Sequence, residues 1–579
     1  MRIKHFFGLA VIAAMTASCS SNNDLVNGGG NGSGENESGA SYASFSINLP
    51  TTTRGTRATD PTFEKGDANE YDVFNATLLV FKKGTATSEG DYTLAETVDL
   101  GSMEPWKNPN ETGVTTQAKI TAKLEKVDKN EDFFALVLLN NGSGANAKVT
   151  LPSEGTKFSA WNVATNADNT KFTDTKKGFY MANAPLYNST DKSVTTLVLI
   201  KKENIFSTEA QASSGEAAAD IYVERGLAKV TLSASTSTEK TVGENSAYKN
   251  DKVKISNWAL DVTNKKTFPI HNVDGLKDDF DAIWKNEAAT EASGPSTQRF
   301  VDNNESTKAK RVYWGKDPNY SETNLSAATE ESKTAREEHF TYVKKENLTA
   351  APTAPLYCLE NTFNLENMVQ GQTTRVIFKA SYTPNGFTEA DGKTFYKIGT
   401  SVALWKEKDL KDHIKTAVSK VISGTTADDI TINLAAEGNN ITTAGNHEIK
   451  ASNITVTGHE VTDAEVKDIS EKVGLTEKAG ISTYENGESY YIARIKHFGD
   501  GLTPWNPGEA YNDNNLKYLG RYGMLRNNWY ELDVQSVSGP GYPDVPEVKP
   551  NTPDDEVDKY IKVSVKILDW AKRSQSVEL

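Results

Sequence analysis

Alternation between apolar and polar positions is the dominant signal along the chain. Ala43, Phe45, Ile47 and Leu49 fall on one face of an extended segment, with Ser44, Ser46 and Asn48 on the other. This predicts a half-buried strand that ends at Pro50. A polar loop carrying Arg54 and Arg57 follows. Residues 75–81 (NATLLVF) and 133–139 (FFALVLL) predict two more strands, the second apolar on both faces like a doubly covered central strand. Residues 221–232 (IYVERGLAKVTL) read as one further strand, and 254–262 (KISNWALDV) opens a second set. That set continues at 374–382, 400–405, 430–434, 490–496 and 529–534. Residues 284–353 are rich in Glu, Lys, Thr, Ala and Asn with weak periodicity, which predicts long loops with short helices.

Residues 539–557 (GPGYPDVPEVKPNTPDDEV) are too dense in Pro for a helix or a central strand, so an extended, semi-rigid tether is expected. Beyond it Ile561, Val563, Val565 and Ile567 alternate with Lys562, Ser564 and Lys566, the pattern of a strand at the end of that tether. The tether is expected to keep it from forming a simple hairpin with 529–534. No long amphipathic helix repeats, and no internal repeat of about 20–50 residues emerges. Many short strands between turn residues predict an all-β protein of two β-sandwich (transthyretin-like, Greek-key) domains, with long loops and a few short helices. The expected division is a signal at 1–18, a tether at 19–40, domains at 41–240 and 241–538, a Pro-rich linker at 539–559 and a terminal strand segment at 560–579.

The N-terminus changes the picture from fold to location. Arg2 and Lys4 precede an apolar run at 6–17 (FFGLAVIAAMTA), which predicts a secretory signal too short to span a bilayer. Ala17-Ser18-Cys19 resembles a bacterial lipobox, with Thr16 where Leu is usual, so Cys19 is the expected lipidation site. The polar, Gly-rich residues 20–39 suit a flexible spacer behind a lipid anchor. With Cys19 lipidated, Cys358 has no disulfide partner and reads as a small buried hydrophobe. The chain has 63 Lys plus Arg against 78 Asp plus Glu, a net charge of −15 without a basic stripe. That balance argues against tracking along nucleic-acid phosphates.

Candidate chemistry is sparse. His447-Glu448 and His459-Glu460 each begin like a zinc-protease helix, but neither has a His four residues on. Neither a Gly-x-Ser-x-Gly elbow nor a phosphate-binding loop occurs. Residues 128–132 (DKNED) imitate a calcium loop, but its sixth position is Phe133 and its twelfth Leu139, so a hairpin turn is expected. No catalytic residue, metal site or cofactor is predicted, and an enzyme is not expected. A glycan binder would use exposed aromatics as platforms; Trp505, near Pro504 and Pro507, is one such residue, with loop packing as the other reading.

Four separated segments resemble one family. They are Val223-Glu224-Arg225-Gly226-Leu227-Ala228-Lys229-Val230, Tyr357-Cys358-Leu359-Glu360-Asn361-Thr362, Arg526-Asn527-Asn528-Trp529-Tyr530, and Trp570 with the final Ser576-Val577-Glu578-Leu579. In this order they resemble the fimbrillins, fimbrial stalk subunits of Bacteroidetes, and most closely the shaft type of short (minor) fimbriae. The resemblance implies a lipoprotein precursor carried to the outer membrane and cut by an arginine-specific protease. Arg57-Ala58 is the expected bond and Arg54-Gly55 the alternative. Cutting there removes the strand holding Ala43, Phe45, Ile47 and Leu49. An open sheet edge recruits other strands, and Ile561, Val563, Val565 and Ile567 of a neighbouring copy are the expected donors. Head-to-tail addition gives an open filament. The implied partners are further copies, accessory or tip subunits, the protease and the outer membrane, with a final place in an extracellular, adhesive fimbrium. A non-polymerising surface lipoprotein (a tip or accessory adhesin, or a glycan-binding module) is the alternative.

Overall fold

The computed structural model describes residues 40–49, 70, 72–101, 117–274, 300, 310–555, 561–569 and 576–577, apart from 168, 173, 175–176, 189–192, 478, 499, 501–502 and 507. Strands dominate, so the chain is all-β in class. The strands of the first unit join into one nine-stranded sheet that folds over on itself. Its order runs from Gln117–Leu124 through Ser41–Asn48, Ala219–Arg225, Met181–Asn183, Phe133–Leu139 and Ala76–Lys82 to Thr93–Asp99. The sheet curls until its two ends meet, and the Glu96 carboxylate closes the gap by accepting from the backbone N–H groups of Glu125 (3.0 Å) and Lys126 (3.2 Å). Inside lies a single apolar core containing Phe45, Ile47, Leu79, Phe81, Leu136 and Ile221.

The second unit is a sandwich. One sheet orders Leu356–Cys358, Ala228–Leu232, Asn528–Val537, Ile561–Asp569 and Ser576–Val577. The facing sheet orders Lys240–Thr241, Lys252–Asp261, Arg375–Thr383 and Glu488–Arg494. Val230, Leu532 and Val563 from the first meet Trp258, Phe378 and Tyr491 from the second in one core. Cys358 is buried there, and burial pushes its thiol up to about 12, in keeping with a packing role.

Residues 221–232 are not one strand: Gly226-Leu227 separates Ala219–Arg225, in the first sheet, from Ala228–Leu232, in the second. The chain therefore enters the second core at Ala228, ahead of residue 240. Two amphipathic helices were not foreseen. Glu407–Val421 buries Leu410, Ile414, Ala417 and Val418, and Asp463–Val473 buries Val466, Ile469 and Val473. They share a third core with Ile430–Ile432 and Ile454–Val456, inserted between the strands Phe395–Ile398 and Ile481–Tyr484. Residues 400–403, expected as strand, lie outside the short pair Leu404–Trp405. Within 284–353 the described part contains one α-helix, Glu330–His339, capped by the Thr329 hydroxyl, and the short 3-10 helix Lys345–Asn347.

Candidate functional site

The first strand is a central strand covered on both faces. It pairs antiparallel with Gln117–Leu124 over its whole length and parallel with Ala219–Arg225 from Phe45 to Asn48. Ala43, Phe45, Ile47 and Leu49 are each 0% exposed. The polar face is buried as well: Ser44, Ser46 and Asn48 are covered, with the short helix Glu209–Ser214 against the strand. The half-buried strand read from alternation is thus buried on both faces from Ala43 onward. Removing it parts two neighbours that are not paired with each other, leaving a slot open along both edges.

The C-terminal strand sits in the second unit. Ile561–Asp569 pairs antiparallel with Asn528–Val537 from Val537↔Ile561 to Asn528↔Asp569, with one irregularity between Val534 and Ser536. Val563 and Val565 are buried in the sandwich core. The expectation that the Pro-rich segment prevents this pairing is wrong, because that segment travels far enough over the domain to bring the strand back beside its predecessor.

Nor is that segment a free tether. Tyr491 and Tyr484 donate to the carbonyls of Gly539 (2.8 Å) and Gly541 (2.9 Å). Tyr542 exchanges two backbone hydrogen bonds with Tyr490, so the strap covers the edge of the strand Glu488–Arg494. Arg375 Nη2 donates to the Pro546 carbonyl at 2.7 Å. Pro550 then passes so close to Gly371 that a Cβ there would lie 2.7 Å from the proline Cα. The strap closes on two carboxylates. Asp554 lies 3.3 Å from Arg494 Nε and accepts from the Thr373 hydroxyl at 2.5 Å. Asp555 receives Arg521 Nη2 at 2.6 Å and Nε at 2.9 Å, and the hydroxyls of Tyr511 and Tyr522 also donate to it.

Three of the four segments quoted from the sequence meet at the junction of the two units. Glu70, the first described residue after the arginine-bearing loop, is buried there. Its carboxylate takes Lys229 Nζ and the Tyr357 hydroxyl, each at 2.6 Å, and its carbonyl accepts from Arg225 Nε at 2.8 Å. Lys229 also lies 4.1 Å from the centre of the Trp529 ring. Arg526 donates to Glu360 at 3.1 Å, and His271 stands between Glu224 (2.8 Å) and Glu360 (3.6 Å). Asn527 adopts φ +60°, which asparagine tolerates, and so both accepts from Arg225 N–H and donates its own N–H to the Leu227 carbonyl. Beside this cluster Asn264 donates to the Glu360 carbonyl and to Asp317. Burial pushes Asp317 up to about 8 against the three N–H donors of Asn264, Thr362 and Asn319. Spacing alone showed these segments as separate motifs and gave no sign that they converge.

Cys19, Arg54, Gly55, Arg57 and Ala58 lie outside the described residues, as do the side chains of Ile561 and Ile567. Asp128 forms the turn ahead of Phe133 by accepting from Asn130 N–H. His447 bonds the Thr443 carbonyl and His459 bonds Glu465, and among the described residues no group of three or more His, Cys, Asp or Glu is arranged to hold a metal. Trp505 is partly buried against the aromatic cluster around Trp314 and Phe498. No described helix is long and apolar enough to cross a membrane.

Residues 482–576 match the family model of the C-terminal region of fimbrillin, the major fimbrial subunit protein type IV. None of the curated proteins matches the chain. Two solved structures of candidate cell adhesion proteins from Parabacteroides distasonis cover 92% of this chain, at 11% and 12% identity and TM-scores of 0.37 and 0.34, with 98% and 100% of their own chains matched. A fimbrial assembly protein from the same organism covers 39% of this chain and 65% of its own, at 12% identity and a TM-score of 0.20. Those likenesses are too loose to place any residue. The matched segment holds Glu488–Arg494, Asn528–Val537, the strap and the C-terminal strand, and it is this C-terminal region that is similar to fimbrillin.

Proposed function

We propose that the protein is a structural subunit of an adhesive cell-surface fimbria, exported as a lipoprotein precursor through Cys19. Cleavage after Arg57, or after Arg54, detaches the first strand. The C-terminal strand of the next copy then enters the slot, with Ile561, Val563, Val565 and Ile567 replacing Ala43, Phe45, Ile47 and Leu49. The observation that carries this reading is the first strand's position. From Ala43 onward it is buried between two long neighbouring strands, and its downstream link runs through the arginine-bearing loop. A fold that depends on so central a strand has a strong reason to refill its place. Glu70 supports the reading from the other side of the loop, since its buried contacts hold the chain beyond the cut to both units.

The pairing of the C-terminal strand within its own sheet favours a second reading, a surface lipoprotein or tip adhesin that never polymerises. Limited digestion by an arginine-specific protease, followed by electron microscopy and unheated SDS gels, separates the two. The subunit reading predicts filaments that resist SDS once residues through Arg57 or Arg54 are gone. Protein that is cut there and stays monomeric contradicts it.

A further inference from the structure

Loss of the first strand also takes a hydrogen-bond donor from a charge. Asn48 donates from Nδ2 to Asp220 Oδ1 at 2.7 Å and to the Ile221 carbonyl at 3.1 Å. Asp220 is exposed, and it is the Cα partner of Ser46 on the parallel neighbouring strand. On the opposite flank Ser46 is paired with Lys119, whose ammonium is already engaged by the carbonyls of Ser213 and Gly215. The polar row Ser44, Ser46, Asn48 thus runs between an aspartate that needs a donor and a lysine that has its acceptors.

We infer that Asp220 selects the incoming strand of a second copy through one of its lysines; this rests on the donor-strand reading above. Four apolar positions of the C-terminal strand match four of the first strand in either direction. If the donor runs the same way as the strand it replaces, Lys566 takes the place of Asn48. If it runs the opposite way, Lys562 does. In both cases Ser564 takes the central place of Ser46, where a small neutral side chain avoids Lys119. The remaining lysine takes the place of Ser44, which is 0% exposed and faces Thr121. Its stem has to reach past the short helix to put the ammonium in water. The two lysines are therefore unequal, and the one beside Asp220 reports the direction of the donor.

The test uses the full chain, processed by an arginine-specific protease, with elongation followed by light scattering and electron microscopy. Asp220→Lys turns an attraction into a repulsion at an accessible site and is expected to slow elongation roughly fivefold at low salt, less at high salt. Asp220→Asn, which keeps a side chain of the same shape, is expected to fall between. Adding Lys566→Asp or Lys562→Asp to Asp220→Lys restores the rate for one of the two only. Wild-type elongation by both Asp220 variants, rescue by neither swap, or equal rescue by both overturns the inference while leaving the donor-strand reading in place. Processed wild-type protein that forms no filament overturns that reading, and this inference with it.

Discussion

Ser41–Asn48 and Ile561–Asp569 both alternate apolar with polar residues, and both pair along nearly their full length. The first lies inside its sheet with paired strands on either side and both faces buried. The second lies next to the end of its sheet, with only the two-residue strand Ser576–Val577 beyond it. Similar sequences thus occupy places of very different worth. A central strand satisfies backbone groups on both of its edges, whereas a strand near the margin can leave while its neighbour keeps its other partners. The second strand is held by its own pairing, by Val563 and Val565 in the core, and by the strap before it, which ends in two buried carboxylate contacts.

The largest difference is expected from truncation. A chain that begins after Arg57, made without ever having the first strand, is expected to fail to fold its first unit. A chain lacking residues 560–579 is expected to keep its first unit folded and to melt at a lower temperature in its second unit, which loses Val563 and Val565 from its core. Circular dichroism melts decide this, and equal effects of the two truncations would remove the contrast.

Point changes give the same contrast at smaller scale. Phe45→Ala empties a fully enclosed site and is expected to cost about 3–5 kcal/mol, while Val563→Ala is expected to cost about 2 kcal/mol. Denaturant melts check both values. Asp554→Asn leaves Arg494 buried beside a neutral group, and one-sided loss of a buried pair costs about 3 kcal/mol or more. The expected result is faster hydrogen exchange in 528–537 and 561–569, with the first sheet unchanged. Equal exchange in mutant and parent would show that the strap does not hold the strand.

The smallest effect is a pH dependence confined to the junction. The Asp317 carboxyl is raised to about 8 by burial, so it holds its proton in the folded protein over a range where the unfolded chain has lost it. Its contribution to stability is therefore full below about pH 4 and is lost as pH rises through about 8. Thermal melts of Asp317→Asn are expected to lose less stability than the parent between pH 5 and pH 8. A parallel loss in both proteins would assign the dependence to other groups.

The strands were legible because their period is two and their ends carry Pro, Gly or Asn; 133–139 was read to the residue. The helix Glu407–Val421 was legible too in its Leu410, Ile414, Ala417 and Val418 spacing, and Thr462 with Glu465 forms a capping box before Asp463–Val473. Both were missed among Thr-rich neighbours that favour strands. The split at Gly226-Leu227 could not be seen, since each half alternates correctly and only pairing assigns them to different sheets. Full burial of Ser44, Ser46 and Asn48 depends on a helix 160 or more residues away in sequence, which local polarity does not encode. The strap reads as a tether because Pro-rich composition reports extension and not attachment, and its tyrosine and arginine partners lie elsewhere in the chain.

The central claim, exchange of the second strand for the first, is tested most directly by cysteine trapping at Ser564. Within the chain Ser564 is the cross-strand partner of Asp533, and in the proposed filament it takes the place of Ser46, the partner of Lys119. Before cleavage, Ser564→Cys with Asp533→Cys is expected to form a disulfide inside one chain. After cleavage and assembly, subunits with Ser564→Cys mixed with subunits carrying Lys119→Cys are expected to form disulfides between chains. Filaments that still hold the Ser564→Cys/Asp533→Cys link, and give no link to Lys119→Cys, would contradict the exchange.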